Sequence, residues 1–158
     1  MASNMTDTPD HRLAPPEIND LTRPFWARLK EGFLSFQRCR ACGHAWLPAR
    51  EQCPACLADD WRREDASGLA KLVSWVVYRI AYDPAFEQRL PYTVAVVELD
   101  EGPRMVSNVV GDALALKIEQ RLTLNIEQRQ ALKIDQRLTL VIEFEDGTPV
   151  PRFRVAGA

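Results

Sequence analysis

The chain has 158 residues, of which 46% are hydrophobic and 27% charged, with a net charge of −2. That length supplies one ordinary domain or two small ones, and the composition is that of a globular chain rather than a disordered one. A mildly acidic balance argues against a protein built to hold nucleic acid through its phosphates, and no apolar run approaches the roughly 20 residues of a membrane helix.

The chain opens on MASNMTDTPDHRLAPPEIND, polar and proline-bearing, with no apolar stretch of the kind a signal peptide carries. It reads as a mobile arm over 1–19 on a cytoplasmic protein, and His11 within it suggests no chemistry. A helix is expected next, over 20–36. Asn19, Asp20 and Thr22 are N-cap candidates, Pro24 suits the first turn, and Gly32 can end it. Phe25, Trp26, Leu29 and Phe33 share one helical face. That face docks either on the protein's own surface or on a partner. FLSFQRC then reads as a strand.

The strand enters CRACGHAWLPAREQCPAC, which holds all four cysteines of the chain in two C-x-x-C pairs. Stable disulfides are rare in a reducing cytoplasm, so the pairs point to a metal. Each pair forms a tight turn that aims two sulfurs at one point. The ten residues between Cys42 and Cys53 suffice for a hairpin that brings the turns together. Cys39, Cys42, Cys53 and Cys56 then make a closed tetrahedral thiolate site, which suits structural Zn2+. Iron of the rubredoxin kind uses the same ligands. A thioredoxin-like redox pair fits two hairpin-spaced motifs poorly, and four cysteines leave no open position for catalysis. Gly43 follows the first pair and allows a sharp turn, whereas Leu57 stands where a second glycine is expected. His44 reads as an exposed loop residue.

LAKLVSWVVYRIAY, from Leu69 to Tyr82, is a long β candidate rich in Val, Ile and aromatics. Leu72, Val76, Tyr78, Ile80 and Tyr82 fall on one face, and Val73, Trp75 and Val77 on the other. Two apolar faces imply that both are covered. DPAFEQRLP reads as a loop. YTVAVVEL and RMVSNVV read as strands joined by the turn DEGP. Glu98, Asp100 and Glu101 read there as a solvated turn. Further on, ALKIEQRLTLNIEQ (115–128) is nearly repeated as ALKIDQRLTLVIEF (131–144), 16 residues later, with 11 of 14 positions identical. Apolar residues fall on even numbers, as in a strand, and both copies read as structural. No Gly or Pro marks a bend between them. Many strands and frequent turns point to a small closed β-barrel.

Taken together, the aromatic helix, RCRACGHAWLPAREQCPAC, the Val-rich strand, LPYTVAVVELDEGPRMVSNVVG and PRF resemble the zinc-ribbon and OB-fold acyl-CoA-associated family, long catalogued as a domain of unknown function. The resemblance covers roughly 20–155. Two departures are the absence of a second glycine after Gly68 and the duplicated segment. The resemblance implies a mainly β fold with a short N-terminal helical segment. A rubredoxin-like zinc ribbon over 37–66 would be followed by an OB-fold β-barrel over 67–158, with the duplication at 115–144. It also implies a non-catalytic accessory subunit that binds a thiolase-like or hot-dog-fold hydratase enzyme and assists acyl-CoA binding or transfer.

The residues themselves offer no nucleophile–base pair, no G-x-S-x-G elbow and no P-loop. An acyl-CoA site needs cations for phosphates, rings for adenine and an apolar channel. Lys71, Trp75, Arg79, Tyr82, Arg89 and Tyr92 are the candidates, each equally readable as an ordinary barrel or surface residue. The competing reading is nucleic-acid binding, with Trp75 and Tyr78 as base-stacking residues.

Overall fold

The structure, a computed structural model, describes residues 14–111 and 132–157. Residues 1–13 of the expected arm, His11 among them, and the first copy of the repeat lie outside the described residues.

Helix α1 spans Arg23–Lys30. Its start is organised by a reciprocal turn rather than a side-chain cap. Thr22 N–H donates to Asn19 Oδ1 (2.9 Å), and Asn19 N–H donates to Thr22 Oγ1 (3.0 Å). Gly32, at φ +93°, follows the C-cap residue Glu31. Of the four aromatic and leucine residues expected on one face, Leu29 is buried, and Phe25 and Trp26 pack against the core. Phe33 lies beyond the helix end and stays exposed, with the Arg28 guanidinium over its ring. The helix docks on this chain's own β1 and β8 (below).

Two sheets follow. The first is small and antiparallel, with β1 (Ser35–Cys39) between β2 (Ala45–Trp46) and β3 (Trp61–Asp65). The second comprises β4 (Leu69–Tyr78), β5 (Tyr92–Leu99), β6 (Arg104–Ser107), β7 (Arg137–Glu145) and β8 (Thr148–Val155) in the order β6-β5-β4-β7-β8. This sheet curls until Val109 bridges Phe153 in parallel. Among the described residues the result is a curled, partly open barrel, consistent with the OB-fold barrel expected. DPAFEQRLP contains a 3-10 turn, Pro84–Arg89, whose start is capped by Asp83 Oδ1 accepting from Ala85 N–H (2.8 Å).

Strand β4 explains its own doubly apolar pattern. Ala70 and Leu72 pair with Leu99 and Val97 on the inner face. A β-bulge between Leu72 and Ser74 then inserts one residue, and Trp75 and Val77 take over the inner face opposite Ala95 and Thr93. The apolar residues of both parities thus face one core in turn. The outer face is not covered among the described residues: Val76 is 49% and Val106 67% exposed. The strand ends at Tyr78, not Tyr82, because β5 begins opposite it at Tyr92.

The second repeat copy supplies β7. Leu138 is buried, and Leu140 and Ile142 pack on the core, as even-number alternation expects. Ile134 breaks the pattern at 67% exposure, because a turn intervenes. Its pivot is Asp135 at φ +62°. Asp135 N–H donates to Leu72 O, and Leu72 N–H donates to Gln136 O, so this turn sits against the β4 bulge. Aspartate enters the left-handed region more readily than most residues, and the other two IEQR motifs carry Glu in its place.

A β-branched residue at this pivot should therefore be costly. Asp135→Val is expected to lower stability by about 1–2 kcal/mol and Asp135→Gly to change it little. Denaturant titration of the two variants checks this; equal midpoints for both would contradict the strained-pivot account.

Candidate metal centre

The two C-x-x-C turns are built alike. Gly43 N–H donates to Cys39 O (3.1 Å) and Leu57 N–H to Cys53 O (2.9 Å). Cys39 N–H donates to His44 O and Cys53 N–H to Ala58 O, each at 2.9 Å. The residue after each pair must adopt positive φ: Gly43 stands at +76° and Leu57 at +63°. Leu57 therefore occupies the glycine position in a strained conformation, 71% exposed.

The four sulfurs converge, all within 4.8 Å of one another. Cys39 Sγ lies 3.6 Å from Cys56 Sγ, and Cys42 Sγ 3.7 Å from Cys53 Sγ. A tetrahedron with metal–sulfur bonds of about 2.3 Å has edges of about 3.8 Å. The separations fit that geometry, and all four cysteines are free thiols. Electrostatics point the same way. Backbone N–H groups of Cys42 and, against the opposing effect of burial, Ala41 bring the Cys39 thiol down to about 7. At Cys56 the Ala58 N–H favours the thiolate, but the Cys42 and Cys39 sulfurs and burial outweigh it and push the thiol up to about 12. Four crowded sulfurs ionise together only around a cation. A metal ion such as Zn2+ held by Cys39, Cys42, Cys53 and Cys56 would supply that charge and tie the two turns into one unit.

Beneath the sulfurs lies a small core of Cys39, Cys53 and Trp46, with Ala58 and Trp61 against it. Trp61 Nε1–H donates to Glu51 O (2.8 Å). Buried Gln37 holds the loop between the turns by two bonds to the Arg50 backbone (2.7 and 2.9 Å). Its burial inside β1 could not be read from a polar residue in FLSFQRC.

The other candidate residues fall in three places. Lys71 sits on the outer face of β4, paired to Glu98 (2.8 Å). Trp75 points inward to the core. Tyr82, Arg89 and Tyr92 gather at the far end of the sheet. Tyr92 stacks on Tyr78 (5.2 Å, 5°), Tyr82 meets Tyr78 edge-on, and Phe86 joins Tyr92 to Arg89. Arg89 also pairs with Glu145 (2.7 Å). Arg79 is exposed next to this cluster in the chain. Phe86 went unnoticed because nothing in DPAFEQRLP announces a ring facing Tyr92.

The acidic residues of DEGP and its flank form a surface turn, as expected, and each also has a partner. Glu98 bridges Lys71 and Arg104, Asp100 accepts both guanidinium nitrogens of Arg137 (2.7 Å each), and Glu101 accepts from Ser67 N–H (2.7 Å). Lys71 and then Arg104 hold the Glu98 carboxyl below its ordinary pKa, and Arg137 does the same for Asp100. These carboxylates are paired across strands at the surface, where each pair adds little to stability.

Comparison with known proteins adds to this geometry. The family model of the rubredoxin-like zinc ribbon domain of ChsH2 matches residues 26–62, and that of the ChsH2 C-terminal OB-fold domain matches residues 63–143. A probable enoyl-CoA hydratase alpha subunit from Thermomonospora curvata is 37% identical over 112 residues, covering 70% of this chain and 34% of the relative. A DUF35 domain-containing scaffold protein from Methanocaldococcus jannaschii is 34% identical over 87 residues, covering 54% of this chain and 61% of the relative. The chain thus spans about a third of the first relative and about three fifths of the second. A chain of a solved structure described as an Ltp2-ChsH2(DUF35) aldolase superposes with a TM-score of 0.68 at 31% identity, covering 90% of this chain and 99% of that one. A DUF35-family protein of unknown function from Sulfolobus solfataricus shares the fold at a TM-score of 0.57 and 15% identity.

Two outcomes follow for the metal centre. Cys39→Ser should abolish stoichiometric zinc and unfold the ribbon, since structural zinc contributes roughly 10–16 kcal/mol to such modules. Metal analysis with hydrogen exchange checks it: Gln37 and Trp46 amides lose protection while Val97 and Leu138 keep theirs, and a variant with full metal content would refute the ligand set. Leu57→Gly should raise stability by about 1 kcal/mol by relieving the left-handed leucine, read as a thermal midpoint a few degrees higher.

Proposed function

The chain belongs to the ChsH2 family, which joins a rubredoxin-like zinc ribbon to an OB-fold domain, and on that premise we propose that it is a non-catalytic accessory subunit of an acyl-CoA-processing enzyme. In this role it binds a thiolase-like or hydratase enzyme in the cytoplasm and assists the binding or transfer of the acyl-CoA. Residues 37–66 serve as the metal-stapled module, residues 67–158 as the barrel, and residues 20–36 as the helical link. The observation that carries the reading is the 31% identical likeness, over nearly the whole of that chain, to the chain in the Ltp2-ChsH2(DUF35) aldolase structure. Two relatives' descriptions, a hydratase subunit and a scaffold protein, support it.

The local chemistry supports the non-catalytic part. The sulfurs are committed to a closed site, and the clustered carboxylates Glu98 and Asp100 are locked in ion pairs. No helix among the described residues is long and apolar enough to cross a membrane. Tyr82, Arg89 and Tyr92 remain the acyl-CoA candidates that stand together, whereas Lys71 lies towards the other end of β4 and Trp75 faces the core.

A pull-down of the tagged protein from its native host tests the reading. A thiolase-like or hydratase-like enzyme is expected in near-equal amount. Recovery of nucleic acid that washes off as salt rises, with no such enzyme, would instead favour the nucleic-acid reading.

A further inference from the structure

A cavity of about 490 Å³ opens between the metal module and the barrel. That volume lies within the range of small-ligand sites. The ribbon contributes His44, Trp46 and Arg50, and the barrel contributes Glu98, Pro103 and Arg104. None of the acyl-CoA candidates drawn from the sequence lines it.

Its chemistry is specific. The His44 and Trp46 rings lie nearly parallel, 10° apart with centroids at 6.2 Å. Trp46 is buried and His44 exposed, so one imidazole face is braced from behind while the ring stays open to a visitor. Arg50 carries its guanidinium on a fixed base, because the buried Gln37 amide grips its backbone on both sides. Among the described residues that guanidinium has no hydrogen bond or ion pair. Arg104 uses only Nε on Glu98 (2.7 Å) and keeps its two terminal nitrogens uncommitted. Glu98 is meanwhile shared with Lys71 (2.8 Å). The two guanidiniums that line the cleft, against the one carboxylate of Glu98, leave it net positive. Two guanidiniums with free N–H groups match phosphate oxygens, and a braced flat ring matches a nucleobase.

We propose that this cleft binds a phosphorylated nucleoside, the base against His44 and the phosphates between Arg50 and Arg104. Its biological ligand rests on the accessory-subunit reading, in which the nucleotide end of an acyl-CoA seats here. The recognition chemistry stands on the cleft alone. The zinc site takes a part in it, since His44 follows the first cysteine pair and Arg50 lies on the loop between the two pairs.

The test is titration of the zinc-loaded full chain with adenosine 3′,5′-bisphosphate, followed by calorimetry and by amide resonances. Saturable binding is expected, with the largest shifts at His44, Trp46, Arg50 and Gly102. Arg50→Ala and Arg104→Ala should each weaken it by about tenfold or more, the scale of a lost charge-assisted bond. Arg50→Ala retains the backbone bonds to Gln37, so its fold is preserved. Absence of saturation by about 5 mM, in the weak-binding range, overturns the proposal. So do shifts centred on Tyr78 and Tyr92, or an Arg50→Ala variant that binds as the parent does. Recovery of a partner enzyme beside a silent titration removes the cleft and leaves the accessory reading standing. Binding here without any partner enzyme does the reverse.

Discussion

Four sulfur atoms within 4.8 Å of one another form the constraint on which the N-terminal half depends. Crowded thiols resist ionising together: against the Ala58 N–H, the Cys42 and Cys39 sulfurs, with burial, hold the Cys56 thiol up. A divalent cation reverses that balance and makes the crowding favourable. The need is physical. The core beneath the sulfurs is little more than Cys39, Cys53 and Trp46 with Ala58 and Trp61 at its edge, far too small to hold two turns and a three-stranded sheet by burial alone. The metal therefore replaces a hydrophobic core that the ribbon lacks.

The ribbon is nonetheless continuous with the barrel. Leu29 from α1 and Leu34 at the foot of β1 belong to the same buried cluster as Leu72, Val97, Leu138 and Phe153. Ion pairs tie α1 and β1 to β3, Arg28 reaching Asp65 and Arg38 meeting Glu64 (2.8 Å), and Glu101 of the barrel accepts from Ser67 N–H (2.7 Å) and from Arg38 (3.5 Å) at the joint. Such exposed or half-exposed pairs add little each, so the shared core carries the joint. The cleft lies between the modules, with Arg50 on one wall and Arg104 on the other. A wall from each module means that the cleft exists only when the metal-bound ribbon and the barrel are both folded.

Irregularities in the barrel are placed, not scattered. The β4 bulge exchanges the inward parity of the strand, and the turn at Asp135 pairs its backbone with Leu72 just before that bulge. The outer face of β4, β5 and β6 is left with Val76, Val94, Val96 and Val106 in adjoining register, beside the stacked Tyr78 and Tyr92. An antiparallel sheet with a solvated outer face normally carries polar residues there.

The sequence by itself determined the metal site and the class of the fold. The C-x-x-C spacing is a local property, because each turn closes on its own hydrogen bonds, and alternation in YTVAVVEL is likewise local. Even the strain at Leu57 was visible as a missing glycine. Only the tertiary structure decided what depends on distant partners. The double apolar pattern of LAKLVSWVVY reads as two covered faces until the pairing with β5 reveals a bulge. Glu98 and Asp100 lie at the surface as the sequence reads, but their partners Lys71, Arg104 and Arg137 come from other strands. Residues 82, 89 and 92 gather through Tyr78 and Phe86 while residues 71 and 75 part from them, because strand parity and strand length send neighbours in sequence to opposite faces and opposite ends of one sheet.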